Sequence, residues 1–343
     1  LNQENKNHIK GFNGIRAIAV LMVVLAHLRI ADHNSTLYGG GMGVQIFFCL
    51  SGFLITYVLL KEYSNTQTIN VRNFLIRRAL RLLPAMLSYL LVIIFLMFLG
   101  YIEPKWMSVF FALFYIYNFI LLRWKTDYLG HFWSLAVEEH FYLFYPFIFK
   151  LNKKKNLLLI LLLLIVICLI VSVLQNRGII YFPSLTKNYQ WTIPAIMPIL
   201  TGAIMSILLN NSNRIYKVPV YVFIILGLLL YVHQVLIPSS YYLLLSSYRL
   251  NYLFQCVGIA FILTYVYLNQ KTAIVKLLEF YPIELIGRIS YGIYLWHMLF
   301  ANLYRIKGLN LYVAIMLSIV IPLLSYYTIE KYFLNKKRLL QTT

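Results

Sequence analysis

Acidic residues are scarce in this sequence: ten Asp and Glu stand against thirty Lys and Arg in 343 residues, and only 12% of the chain is charged. A soluble domain carries about 25% charged residues, so this composition excludes a soluble enzyme as well as a disordered, highly charged chain. Cysteine is rare too. Cys49, Cys168 and Cys256 all lie inside apolar runs, with neither metal-ligand nor disulfide spacing, and read as packing residues. Long polar stretches are also missing, since no segment of more than about thirty residues lacks an apolar run of roughly spanning length. That leaves no place for a soluble appended domain. What the sequence does contain is 61% hydrophobic residues and a mean hydropathy of +0.76. The expectation is an all-α, polytopic integral membrane bundle, a single membrane domain over residues 1–343.

A formal charge of +20 could signal nucleic acid, but the basic residues come in short bursts between apolar stretches, at Arg72, Arg77, Arg78 and Arg81, at Lys150 and Lys153 to Lys155, and at Lys336 to Arg338. With no basic domain or long charged face, the charge reads as membrane topology and nucleic-acid binding is not expected. Ten candidate spans follow: 13–30, 42–60, 82–99, 133–149, 157–174, 191–209, 218–236, 249–268, 285–303 and 309–328. The first lacks a small-residue cleavage site and reads as a retained helix. An eleventh apolar stretch, 108–122, is tested by parity. Both ends of the chain are basic, which argues for two cytoplasmic termini and an even count. The stretch is then re-entrant or shallow at the outer face, and of the thirty Lys and Arg about 21 fall inside and about 9 outside. No internal repeat is evident, which counts against a secondary transporter.

Ionisable side chains at membrane depth cost at least a few kcal/mol and are functional candidates by default. Arg16 and His27 are eleven positions apart, three turns plus about 20°, so they share a helix face with about 16 Å between them along the axis. A snorkelling arginine and a satisfied core histidine would also fit that spacing. Gly39, Gly40, Gly41 and Gly43 precede Ser51-Gly52, a small-residue contact point within an apolar run. Arg78 and Arg81 lie on one face just before Pro84, which is expected in the first turn of a helix starting near residue 82. Their guanidiniums could clamp a phosphate or simply anchor a cytoplasmic helix end. Two of the ten acidic residues, Glu138 and Glu139, sit side by side in the aromatic run from Trp133 to Tyr142. Adjacent helical positions point about 100° apart, so the two carboxylates have different surroundings. Counting residues from the outer surface places Glu138 near the depth of His27, as a plausible acid/base pair.

Taken together, Arg16 with His27, the Gly43–Ile55 run GVQIFFCLSGFLI, the Arg78, Arg81, Pro84 triplet, the Trp133–Tyr142 run WSLAVEEHFY and the Gly287–His297 run GRISYGIYLWH resemble the acyltransferase 3 family of membrane acyltransferases. The motifs occur in order over nearly the whole chain. The resemblance implies about ten helices, cytoplasmic termini, residence in the bacterial cytoplasmic (inner) membrane, and transfer of an acyl group, usually acetyl from acetyl-CoA, to a hydroxyl of a cell-surface polysaccharide or its lipid-linked precursor. On this reading Arg16, Arg78 and Arg81 hold the phosphates of acetyl-CoA, and His27 is the general base with Glu138 or Glu139 orienting it. Ser51, Trp133, His140, Tyr291 and His297 line the substrate cavity, with Ser51 or His27 as the candidates for any covalent acyl intermediate. No metal is expected. Partners are the lipid bilayer, the glycan acceptor and glycan-assembly proteins. Two departures stand out: His140 occupies a position that is commonly glutamine, and Lys331-Tyr332 replaces a proline that often follows the glutamate at Glu330. No room for an appended hydrolase-like domain is expected in these 343 residues, so acceptor delivery is expected to fall to the membrane domain or another protein. A transporter or lipid-linked-sugar flippase, in which buried Arg, His and Glu form a substrate or proton path, is the rival reading. A glycosyltransferase using lipid-linked sugars fits less well, because the loops are short.

Overall fold

The computed structural model describes residues 9–30, 40–151, 154–180, 182, 184–185, 190–211, 218–236 and 248–339. Gly39 of the glycine cluster and Lys153 of the charge pattern lie outside the described residues. Within the described residues, regular structure is helical: α1 (Phe12–His27), α2 (Gly40–Thr66), α3 (Val71–Phe98), α4 (Trp106–Leu113), α5 (Phe132–Leu151), α6 (Lys154–Asn176), α7 (Thr192–Ala195), α8 (Met197–Asn211), α9 (Val220–Leu236), α10 (Tyr248–Leu268), α11 (Ala273–Leu278), α12 (Tyr281–Arg288), α13 (Ser290–Lys307), α14 (Leu311–Ser325) and α15 (Lys331–Leu339). A π-turn, Tyr326–Glu330, joins the last two.

Every one of the ten apolar stretches is helical, though not always as one piece. The stretch 191–209 is broken between α7 and α8, and 285–303 is broken at Ile289 between α12 and α13. Among the described residues, four helical segments are long and apolar enough to cross a bilayer: Gly40–Thr66, Val71–Phe98, Asn156–Gln175 and Leu311–Lys336. The exterior is apolar as well. Leu87, Leu91, Phe95 and Phe98 form an exposed stripe on α3, and Leu159, Leu163, Val166 and Ile170 form another on α6. Stripes repeating at three to four residues on an outer face have hydrocarbon as their solvent, and the protein is a membrane protein.

The helix carrying Arg78 and Arg81 begins earlier than expected. Asn70 caps it, its side chain accepting from the Asn73 amide at 2.9 Å, so α3 starts at Val71 and Pro84 lies inside the helix rather than in its first turn. The polar, arginine-rich first turns conceal the start from a hydropathy reading. Consequently both arginines project from regular helix into the bundle. At the centre of that bundle, α1 packs against α2, α12 and α13. α2 and α8 approach closely, so that a Cβ on Gly52 would strike the Ile199 carbonyl and one on Gly202 the Cys49 carbonyl.

The stretch 108–122 forms no crossing helix. It holds most of the eight-residue α4, about 12 Å long against about 30 Å of hydrocarbon, followed by 3₁₀ turns at Tyr117–Phe119 and Leu122–Trp124. Its irregular backbone is stabilised internally: Tyr117, fully buried, donates to the Thr126 carbonyl at 2.9 Å and meets Ser108 Oγ at 3.0 Å. The loops on its two sides also touch, Lys105 Nζ donating to the Arg123 carbonyl at 3.4 Å. Loops in contact lie on one side of the membrane. In a background lacking Cys49, Cys168 and Cys256, Lys105→Cys and Lys125→Cys should both label with an impermeant thiol reagent on intact spheroplasts. Labelling of position 125 only after permeabilisation would mean that the segment crosses.

Candidate active site

A cavity of about 870 Å³ opens between α1, α2, α3, α5, α12, α13 and the π-turn. Arg16 enters its wall from α1, and Arg78 and Arg81 enter from α3. Arg78 lies over the ring of Tyr142, 5.1 Å from its centroid, and over Phe74 at 5.5 Å. Arg16 donates to Asn13 Oδ1 at 3.2 Å, and Asn13 in turn donates to Glu284 at 2.8 Å. The neighbouring Arg77 and Arg288 are already paired, with Glu62 at 3.1 Å and Glu284 at 2.6 Å. Among the described residues no carboxylate comes within ion-pair distance of Arg16, Arg78 or Arg81. Three partly buried guanidiniums without an ion-pair partner among the described residues, gathered in one cavity, form a site for a multiply charged anion, because the planar donor fork suits phosphate oxygens.

Glu138 also lines this cavity and accepts from Ser51 Oγ at 2.5 Å, which ties α5 to α2. It shares the cavity with Arg16, Arg78 and Arg81. The pairing expected between His27 and Glu138 is therefore not formed. Residue counting fixes depth, but the direction each side chain faces is set by packing, and α1 turns His27 towards α13. There its ring stands edge-on to His297, with centroids 5.0 Å apart, and Nδ1 donates to the Val23 carbonyl at 2.8 Å. Glu139 points elsewhere, in the electrostatic neighbourhood of Tyr115 and Tyr291, and is absent from the cavity wall.

The expected cavity residues divide. Ser51 and Tyr291 line it, Tyr291 donating to the Leu82 carbonyl at 3.0 Å. Trp133, His140 and His297 do not. Trp133 packs edge-on against Phe48 at 6.1 Å. His140 is bonded through Nδ1 to Thr192 Oγ1 at 2.8 Å and stacked on Phe119, so it fastens α7 and the 3₁₀ segment to α5. His297 stands behind the wall, in contact with His27.

Four groups at the site are not among the expected site residues. Tyr294, one turn before His297, lines the cavity and donates to Ser134 Oγ at 2.5 Å, the serine giving its own proton to the His131 carbonyl at 2.9 Å. His131 adjoins both Tyr294 and His297, with ring centroids 5.6 and 5.5 Å away. Its place two residues before Trp133, at the head of the aromatic motif, is the available signal. Glu330 is buried in the cavity wall, where the π-turn aims it back towards Ser325 and Arg81. The missing proline weighs against it in the sequence, yet the turn orients the carboxylate without one. The three histidines meet by ring faces and edges, and among the described residues no group of His, Cys, Asp or Glu has the geometry to hold a metal ion.

The acyltransferase-domain model of the acyltransferase 3 family matches residues 9–330. A Staphylococcus aureus (strain COL) protein whose name assigns it provisionally as an O-acetyltransferase is 31% identical over 95% of this chain and 57% of its own length. O-acetyltransferase OatA of S. aureus (strain NCTC 8325 / PS 47) is 29% identical over 94% of this chain and 57% of its own. The chain thus spans a little over half the length of the curated relatives it matches. No solved structure matches it. With its motifs in register, its cationic cavity and a family match running from Ile9 to Glu330, the chain belongs to the acyltransferase 3 family, and residues 9–330 are an acyltransferase domain of the kind that O-acetyltransferases carry.

Proposed function

We propose that the protein is an O-acetyltransferase of the bacterial cytoplasmic membrane, moving acetyl from acetyl-CoA to a hydroxyl of a cell-surface polysaccharide or its lipid-linked precursor. One observation carries the reading: among the described residues Arg16, Arg78 and Arg81 stand without carboxylate ion-pair partners, in a cavity whose far wall, Tyr294 and Ser134, backs onto His27's neighbours. In this reading both termini are cytoplasmic and the ten apolar stretches cross. The cytoplasmic donor then meets the arginines with its phosphates, and its pantetheine arm runs outward along the face shared by Arg16 and His27, about 16 Å of helix. His27 takes the proton of the acceptor hydroxyl through Nε2, the nitrogen left with a lone pair because Nδ1 donates to Val23. Glu138, linked to Ser51 and set among the arginines, balances their charge beside the thioester rather than orienting His27.

The direct test is purified protein in liposomes of extracted bacterial membrane lipids, which carry lipid-linked glycans, supplied with radiolabelled acetyl-CoA. Alkali-labile label in the glycan fraction, with release of CoA thiol, is the expected result; absence of both overturns the reading. In that assay Arg78→Ala and Arg81→Ala should each raise the KM for acetyl-CoA about tenfold or more with a smaller change in kcat, the loss of one charge-assisted contact being about 1.5–3 kcal/mol. Lysine at either position should restore only part of the loss, because the forked geometry is missing. A parental KM in both alanine variants would leave the pair as a topological anchor.

A further inference from the structure

Of the three cavity arginines, Arg16 alone has its guanidinium hydrogen-bonded to a side chain among the described residues, and the bond belongs to a longer row. Asn13, three residues earlier and so on the same face of α1, accepts from Arg16 Nη1 through Oδ1 at 3.2 Å. Its amide nitrogen donates to Glu284 Oε1 on α12 at 2.8 Å. Glu284 is in turn held by Arg288 at two points, Nη2 to Oε2 at 2.6 Å and Nε to Oε1 at 3.3 Å. All four side chains line the cavity. The row runs from Arg288, 47% exposed, through Glu284, 12% exposed, to the partly buried Arg16.

The order of these groups leaves the amide one orientation. A guanidinium has only donors and an ionised carboxylate only acceptors, so Asn13 between them must turn its oxygen to Arg16 and its nitrogen to Glu284. Backbone contacts hold the row at its roots. A Cβ on Gly287 would strike the Asn13 carbonyl and one on Gly14 the Leu278 carbonyl, so α12 and the end of α11 lie against the first turn of α1 at backbone distance, and Glu284 stands one turn before Gly287. What passes along the row is direction rather than charge. A carboxylate bonded directly to Arg16 would take up its positive charge, whereas a neutral amide leaves that charge in place, and the charge of Glu284 is met by Arg288.

We propose that Asn13 and Glu284 are positioning residues for donor binding: they hold the Arg16 guanidinium at the cavity wall in one geometry while leaving its charge to the donor's phosphates. The proposal rests on acetyl-CoA being the donor and on the arginines receiving its phosphates. Neither residue need touch the donor to act. An arginine side chain already fixed when the ligand arrives loses less rotational freedom on binding, and the saving for one such side chain corresponds to about twofold to tenfold in affinity. Arg78 is steadied differently, by the rings of Tyr142 and Phe74, so the row through Asn13 serves Arg16 in particular.

The test is a double-mutant cycle in the full chain, in the same liposomes with acetyl-CoA as donor. Asn13→Leu keeps the volume of the side chain and removes the amide; it should raise KM for acetyl-CoA about threefold to tenfold, with kcat within about twofold of the parent. Glu284→Gln can turn its own amide nitrogen towards Asn13 and so frees the orientation. It should raise KM about twofold to fivefold, and it carries the cycle alone should Asn13→Leu fail to accumulate. In an Arg16→Ala background either change should add less than about twofold, because the guanidinium they hold is gone. A parental KM in the single variants, or the same rise with and without Arg16, would overturn the positioning role, the second result being what a general loosening of the α1–α12 contact produces. A wild-type protein that releases no CoA thiol overturns the donor assignment instead, so the two failures are distinct.

Discussion

Replacing His27 by alanine should lower acetyl transfer about 10²- to 10⁴-fold while the protein still accumulates in the membrane. The expectation follows from the hydrogen bond to Val23, which dedicates one ring nitrogen to the helix backbone and leaves the other as a base. It also follows from the packing that α1 provides. The helix is lined by Ala17, Ala19, Val20, Val23 and Ala26 on its buried side, all of which remain when the imidazole is removed, so the bundle should persist. His27→Gln should be as impaired as alanine, since an amide can replace the hydrogen bond but cannot take a proton. Wild-type acetyl incorporation by either variant, measured per mole of membrane protein, would remove His27 from the chemistry.

The second large effect is structural. Gly52→Ala and Gly202→Ala should each destabilise the protein by about 3 kcal/mol or prevent its accumulation, because each new methyl falls on a backbone carbonyl of the facing helix rather than on a side chain that could move. The two clashes are reciprocal, Gly52 against Ile199 on α8 and Gly202 against Cys49 on α2, so neither helix can retreat without opening the contact made by the other. Gly41→Ala is the matched control. Nothing lies within 4 Å of the point where its methyl would stand, and helix propensity favours alanine there by up to about 1 kcal/mol. Thermal unfolding in detergent, followed by the monodispersity of the protein, separates these cases. A Gly52→Ala protein melting with the parent would show that α2 and α8 do not need this closeness.

Much of the architecture was legible in the sequence, since apolar length marks helices wherever lipid is the solvent. The stretch 108–122 shows the limit of that signal. Its hydropathy resembles that of a span, and the deciding facts are the Tyr117 hydrogen bonds and the meeting of Lys105 with Arg123, neither of which has a composition. For the site, spacing puts Arg16 and the two α3 arginines on faces from which they can converge, and these do share a cavity. Glu138 is picked out by acid scarcity and placed by depth, but depth along a helix says nothing about the neighbour across from it, and the partner is Ser51. Tyr294 and His131 are obscured for the opposite reason: in a chain with 29 tyrosines and 23 phenylalanines a further aromatic residue carries little information until its partners are known.

The π-turn at Tyr326–Glu330 amounts to one extra residue spliced into an otherwise continuous helix. Each helical residue advances the facing direction by about 100°. Closed to ordinary α-geometry with all five residues kept, the turn would swing the whole of α15 by about that angle relative to α14. Glu330 would leave the neighbourhood of Arg81, and every side chain beyond it would exchange bearings, although none had changed identity. The C-terminal helix is thus phased by an insertion, which frees α14 to turn its apolar side to lipid while the residue five positions beyond its end looks inward.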